Sequence, residues 1–110
     1  MYGWTEDYPD ARDFLGTMCD GTIITDEACT NASFYNNDEV NRLLAEAAVA
    51  TDEAARADLF RRAEDRVMED APMCVLVHPV EYRMCQPRVR GCTLHPVWFV
   101  RYENLSLDPS

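Results

Sequence analysis

Apolar residues recur at helical spacing through the middle of the chain. Between residues 38 and 49 they follow the i, i+3, i+4, i+7 pattern of one helix face: Val40, Leu43, Leu44, Ala47 and Ala48. This pattern predicts a helix over residues 38–49. Asn36 is the predicted N-cap, and Glu39, three residues later, would complete a capping box.

A second helical pattern covers residues 52–69. Thr51 is its predicted N-cap, and the acidic pair Asp52 and Glu53 suits the positive end of a helix. The apolar face comprises Ala55, Leu59, Phe60, Ala63 and Val67. The charged side chains lie mainly on the opposite face, and we interpret them, Arg56 included, as a solvated helix surface.

The flanking segments are shorter. Residues 10–18 predict a short helix that begins at Asp10, and residues 19–33 have the composition of a loop. The continuous apolar run at 73–77 predicts a buried strand, and residues 95–107 predict a further strand or strand pair. A buried strand needs sheet neighbours on both sides, and the chain offers few, so we interpret it as part of a larger core.

Charge and composition narrow the function classes. The chain has 110 residues, the size of one domain, and a formal net charge of −10. This charge disfavours nucleic acid and anionic membrane surfaces as partners. No basic and apolar leader follows Met1, which by itself favours the cytosol. The five cysteines count against the cytosol, since that number is high for a reduced compartment.

The opening segment GWTEDYPDARDFL, residues 3–15, carries the candidate binding chemistry. A tryptophan is followed closely by four acids: Glu6, Asp7, Asp10 and Asp13. One interpretation is a solvated acidic loop above a core tryptophan. Another is a carboxylate pair for acid/base hydrolysis, as in glycosidases, although no other residue supports that chemistry.

Zinc binding is rejected on spacing. Cys74, His78, Cys92 and His95 are the candidate ligands, but Cys74 and His78 would lie ~13 Å apart in an extended strand, at about 3.3 Å per residue, too far from each other to share one ion. No catalytic constellation, metal site or cofactor motif is predicted. We interpret Cys74, Cys85 and Cys92 as buried, small apolar residues.

The order of the segments resembles the C-terminal portion of bacterial family 5 solute-binding proteins, the extracytoplasmic receptors of ABC importers for dipeptides, oligopeptides and other solutes. Residues 3–15 resemble the family's ligand-site loop. Residues 32–84, from ASFYNNDEV to EYRM, resemble the segment that follows, and the tail from RVRG at 88–91 to YENL at 102–105 resembles the closing strands.

The resemblance implies an α/β fold: a C-terminal fragment of a two-lobe, type II periplasmic-binding-protein fold. Residues 1–80 would belong to the second lobe, and residues 81–110 would supply strands that cross back to complete the first. The implied function is non-enzymatic binding of a peptide or related small solute for delivery to ABC permease subunits. The implied location is periplasmic or extracytoplasmic, with a lipid anchor as one form of it.

The resemblance also implies site residues. Asp7 would meet the α-amino group of a peptide, Trp4 would form an apolar wall, and Thr5 would add a polar contact. Ala11 departs from the family pattern, in which proline is frequent at that position. Some members carry a disulfide in the following loop, which makes a Cys19–Cys29 bridge a hypothesis; the alternative is two exposed free thiols.

Two other function classes remain open on the sequence. One is an independent small α+β interaction protein, which would fold alone with a cooperative melt. The other is an acidic-site hydrolase, which predicts turnover that a receptor would not show.

Overall fold

The structure, a computed structural model, describes residues 3–78, 80–95, 97 and 99–108. The chain forms two compact units, Met1–Val75 and Leu76–Ser110. The described part of the first is helical, and the described strands all lie in the second. The fold is thus mixed, with helices followed by strands. Among the described residues, no helix is long and apolar enough to span a membrane.

Three α-helices make up the first unit. They are α1 (Ala11–Met18), α2 (Asp38–Val49) and α3 (Glu53–Asp70), with a short 3₁₀ turn at Gly21–Ile23 between the first two. All three predicted helices are confirmed to within one residue at each end. Asp10 is the N-cap of α1, as predicted, and its side chain accepts from the backbone N–H of Arg12.

The predicted caps of the two longer helices are each wrong by one position. Asn37, not Asn36, caps α2, and its side-chain oxygen accepts from the backbone N–H groups of Glu39 and Val40. Asp52, not Thr51, caps α3 by accepting from the backbone N–H of Ala55. In both cases the residue directly before the first helical turn is the one whose oxygen reaches the free N–H groups.

The core of the first unit lies where α2 packs against α3. Ala47 of α2 and Ala63 of α3 are both 0% exposed. The other buried members of this cluster are Cys19, Val40, Leu43, Leu44, Phe60 and Val67. The apolar faces predicted from the sequence therefore pack against one another, except that Ala48 and Ala55 are exposed.

The predicted buried strand at 73–77 is wrong. No described strand includes these residues, and Val75, Leu76 and Val77 are 59%, 66% and 70% exposed. An extended segment becomes a strand only when a neighbour takes up its backbone hydrogen bonds. The described strands pair with one another, and none of them pairs with this segment.

The second unit contains two antiparallel strand pairs. Strands β1 (Val89–Arg90) and β4 (Ser106–Leu107) pair, as do β2 (Leu94–His95) and β3 (Phe99–Val100). The strand signal in residues 95–107 is thus confirmed in part, as short pieces.

Gly91 directly follows β1 and has a φ of +73°. A Cβ atom there would collide with the carbonyl oxygen of Asn104, so both backbone angle and space require glycine.

The cysteine predictions are corrected by the structure. Cys19 and Cys29 are free thiols, and the disulfide joins Cys85 to Cys92. Cys19 is enclosed by the helical core, and this burial raises its thiol pKa to about 11. Cys29 is half-buried, and its thiol donates to the Asn31 carbonyl instead. Cys74, interpreted as buried, is exposed.

The burial of Ala47 where α2 packs against α3 predicts that added side-chain volume destabilises the chain at that position. Ala47→Leu forces extra methylene groups into a site with no solvent access, and we expect it to lower the free energy of unfolding by about 1–3 kcal/mol. Ala48→Leu makes the same change on the exposed side of the same helix and should stay within ~0.5 kcal/mol of the parent chain. Urea unfolding followed by circular dichroism measures both. Equal losses in the two variants would contradict the packing described.

The disulfide assignment predicts the pattern of alkylation. Under native conditions exposed Cys74 should react first, and buried Cys19 should react only on unfolding, because a thiol with a raised pKa forms little thiolate. In denaturant without reductant we expect three alkylated cysteines, and with reductant five. Peptide mapping by mass spectrometry identifies the pair. A linked peptide joining Cys19 to Cys29 would overturn the assignment.

Candidate functional site

The predicted ligand residues lie on the loop that precedes α1. The indole of Trp4 is half-buried, whereas Thr5 and Asp7 are exposed. Within the described part of the chain, the Asp7 carboxylate forms no hydrogen bond or ion pair. A carboxylate that no protein group neutralises is available to a cationic group from outside.

Asp13 connects two of these residues. It lies in the first turn of α1 and is only 2% exposed. Its Oδ2 accepts from the backbone N–H of Asp7 at 2.6 Å and lies 3.4 Å from the indole Nε1 of Trp4. The structure thus brings Trp4 and Asp7 together through Asp13, while it records no hydrogen bond from Thr5 to another described residue. This role of Asp13 was not predicted from the sequence; its signal was an acid three residues after the helix N-cap, the position of the acid in a capping box.

A second acid of the segment ties the loop to the helical core. Asp10 forms a two-point ion pair with Arg56 of α3, with N–O distances of 2.6 and 2.8 Å. The hydrogen bonds from Arg56 hold the pKa of the Asp10 carboxyl below its ordinary value, and the N–H of Arg12 adds to the effect. The interpretation of Arg56 as part of a solvated surface is therefore wrong.

Arg56 makes two further contacts. Its Nε donates to the Ala47 carbonyl at 3.2 Å, near the end of α2 where carbonyls lack helical partners. Its guanidinium carbon lies 4.8 Å from the centre of the Phe60 ring. One side chain thus joins the cap of α1, the end of α2 and the face of α3.

Asn31 organises the segment between α1 and α2. It is 0% exposed, and its amide donates to the carbonyls of Asp20 and Tyr35 at 3.1 and 2.7 Å. Its Oδ1 accepts from the Ser33 hydroxyl and the Tyr35 backbone N–H. All of its bonding capacity is used, which defines its role as structural rather than ligand-binding.

Asp70 closes the other end of the same segment. Its carboxylate accepts from the Tyr35 hydroxyl and the Asn37 amide, both at 2.7 Å, and pairs with Arg66. These interactions, led by the Tyr35 hydrogen bond, lower the pKa of Asp70. Burial, together with the Asp70 charge, raises the pKa of Tyr35.

A shallow cavity of about 300 Å³ lies beside the loop, lined by side chains that include Tyr8, Arg12 and Asp20. The described residues contain no group of three or more His, Cys, Asp or Glu side chains placed to hold a metal ion.

Three known proteins are similar to this chain along most of its length. Heme-binding protein A of Haemophilus influenzae is 30% identical over 108 residues, which is 98% of this chain and 19% of that protein. The periplasmic oligopeptide-binding protein OppA of Escherichia coli is 30% identical over 91 residues, 83% of this chain and 16% of OppA. The dipeptide-binding protein of Escherichia coli is 24% identical over 108 residues, 98% of this chain and 20% of that protein.

The resemblance to family 5 solute-binding proteins is confirmed. These relatives are binding proteins, not enzymes. Their names give heme, oligopeptides and dipeptides as ligands, and OppA is named periplasmic. The chain spans about a fifth or less of the length of the family 5 proteins it matches. No family model matches the chain, and no solved structure matches it.

The Asp10–Arg56 pair predicts a pH-dependent stability. Because the folded-state pKa of Asp10 is lowered, its contribution is present above the unfolded-state pKa and is lost as the pH falls through the folded-state value. Asp10→Asn keeps a capping oxygen but removes the charge. At pH 7 Asp10→Asn should therefore lower the free energy of unfolding, and this loss should shrink as the pH falls through the folded-state pKa of Asp10. Asp10→Ala should cost about 1 kcal/mol more at every pH, because it also removes the cap.

Urea unfolding across this pH range measures these differences. Asp58→Asn is the matched control, since Asp58 pairs with Arg61 on the exposed surface of α3 and such pairs contribute little. A destabilisation by Asp10→Asn that does not change with pH would contradict the ion-pair explanation.

Proposed function

We propose that this chain is the C-terminal part of the solute-binding component of an ABC importer. The receptor would bind a peptide or related small solute between two lobes and deliver it to permease subunits in the membrane. The observation that carries this proposal is the match over 98% of the chain to heme-binding protein A at 30% identity, joined by oligopeptide- and dipeptide-binding relatives.

The exposed apolar segment supports the view that the chain is a part of a larger protein. Val75, Leu76 and Val77 stand together in the sequence and are largely exposed, as are Val80 and Tyr82. Contiguous apolar exposure of this kind marks a surface that another element covers. In the proposal, residues 1–80 belong to the second lobe and residues 81–110 contribute strands that complete the first.

The geometry of the opening loop supports a role in binding a free amine. Asp7 presents an exposed carboxylate without a partner among the described residues, and its backbone N–H donates to Asp13. Closure of a second lobe over this loop would remove water from an ammonium–carboxylate contact and so strengthen it. Trp4 would offer its exposed ring surface to a side chain or peptide plane, and Thr5 a hydroxyl.

A periplasmic location is part of the proposal. OppA is named a periplasmic protein, and the Cys85–Cys92 disulfide suits an oxidising compartment. Lobe closure on binding would then present the loaded receptor to the importer, by a hinge motion whose closed state the ligand stabilises.

The test begins with the complete reading frame, established by sequencing upstream of the Met1 codon. An open frame of several hundred further codons supports the proposal. A stop codon and ribosome-binding site just upstream would reject it and favour a small α+β interaction protein.

In the complete receptor, Asp7→Ala should weaken binding of peptides with free N-termini by about 1.5–3 kcal/mol, the range for a hydrogen bond to a charged group. Isothermal titration calorimetry with matched free and N-acetylated peptides measures this. Asp26→Ala removes the same charge from another exposed loop and serves as control. Equal affinity of the parent receptor for both peptides would reject the role of Asp7.

A further inference from the structure

The loop that carries the proposed ligand contacts is held by one side chain. Residues 4–7 form no helix or strand. The hydrogen bonds that they donate to other described residues all end on Asp13, one from the Trp4 indole and one from the Asp7 backbone. Because the loop has so few other hydrogen bonds, its conformation depends on the Asp13 carboxylate that accepts both of them.

The location of Asp13 suits this role. Its carboxylate is almost fully buried and forms no ion pair with a described residue. It lies in the first turn of α1, where the exposed N–H groups favour a negative charge. The helix itself is secured by the Asp10 cap and the Asp10–Arg56 pair, so the acceptor stands on a fixed element.

The geometry also determines what Asp13 holds in place. Its contact to Asp7 is to the backbone N–H, which leaves the Asp7 carboxylate free and exposed. Its contact to Trp4 is to the one polar atom of the indole, which sets the ring orientation and leaves the apolar ring to meet a ligand. Asp13 thereby orients both an apolar ring, that of Trp4, and a charged carboxylate, that of Asp7.

We propose that Asp13 is the positioning residue of the ligand loop. By accepting from the Trp4 indole and the Asp7 backbone, it orders the loop before any ligand arrives and orients the Asp7 carboxylate. Its effect on affinity rests on the proposed function; its effect on loop order does not. An ordered loop loses less conformational freedom on binding, so Asp13 would raise affinity without touching the ligand.

The first experiment measures loop order in the full 110-residue chain. Asp13→Ala should speed hydrogen exchange of the Asp7 amide by about 10- to 100-fold, the loss of one hydrogen bond to a charged group. It should also shift the Trp4 indole N–H resonance, observed in a Trp98→Phe background so that one indole remains. Asp13→Asn keeps an acceptor oxygen and should restore most of the protection.

Two comparisons separate positioning from general stability. Amides in α3 should keep their protection in both variants. Glu64→Ala, the same charge change at an exposed helix position, should leave the Asp7 amide unchanged. If Asp13→Ala does not fold, Asp13→Asn alone decides: a Trp4 indole and an Asp7 amide close to those of the parent chain support the proposal. Loss of both signals in a folded Asp13→Asn variant, or retained Asp7 protection in a folded Asp13→Ala variant, would overturn it.

The second experiment measures peptide affinity in the complete receptor. We expect Asp13→Ala to lower it several-fold and Asp13→Asn to retain most of it. If Asp7→Ala has no effect on binding while Asp13→Ala still frees the Asp7 amide, the proposed function fails and the positioning role stands. If Asp7→Ala weakens binding while Asp13→Ala changes neither affinity nor exchange, the positioning role fails and the proposed function stands.

Discussion

The packing of α2 against α3 is the constraint on which the first unit depends. Ala47 and Ala63 have no solvent access, and their small side chains leave room for the larger apolar residues around them to interlock. Seven of the eight buried apolar residues in this cluster belong to α2 and α3. Partly buried Leu15 and Met18 of α1 pack against the same cluster. A helix as short as α1 is marginal by itself, so this packing against α2 and α3 stabilises it.

A chain of polar contacts leads from these two helices to the opening loop. Arg56 joins the end of α2 and the ring of Phe60 to Asp10, the residue that begins α1. One turn later, Asp13 joins α1 to the loop at Asp7. The loop owes its order to the helices through two acidic side chains with different partners. The four acids of the segment are therefore not one acidic patch, because Asp10 and Asp13 are structural. Glu6 and Asp7 form no side-chain hydrogen bond or ion pair with a described residue, and of these two Asp7 is the exposed one.

The helices and the family resemblance could be predicted because both depend on local patterns. Val40, Leu43 and Leu44 have the spacing that places them on one face of a helix, and the similarity to known binding proteins confirmed the family resemblance. The N-caps were harder to predict. Asn36 and Asn37 are equivalent by residue type, and only the residue at which the helix begins distinguishes them. The partners of Asp13 and Arg56 were missed because they lie on other elements, and a charged residue at an exposed helix position is usually solvated.

Periodicity, capping chemistry and the segment order are local properties of the residues, and they specified the three helices, the mixed architecture and the position of the candidate loop. Contacts between distant residues required the folded chain. The buried carboxylate of Asp13, the free thiols of Cys19 and Cys29, the pairing of Cys85 with Cys92 and the exposure of residues 74–77 all depend on which side chains meet in space. Burial and disulfide pairing depend on residues that are distant in the sequence and close in the folded chain. They therefore cannot be predicted from the local pattern of residue types.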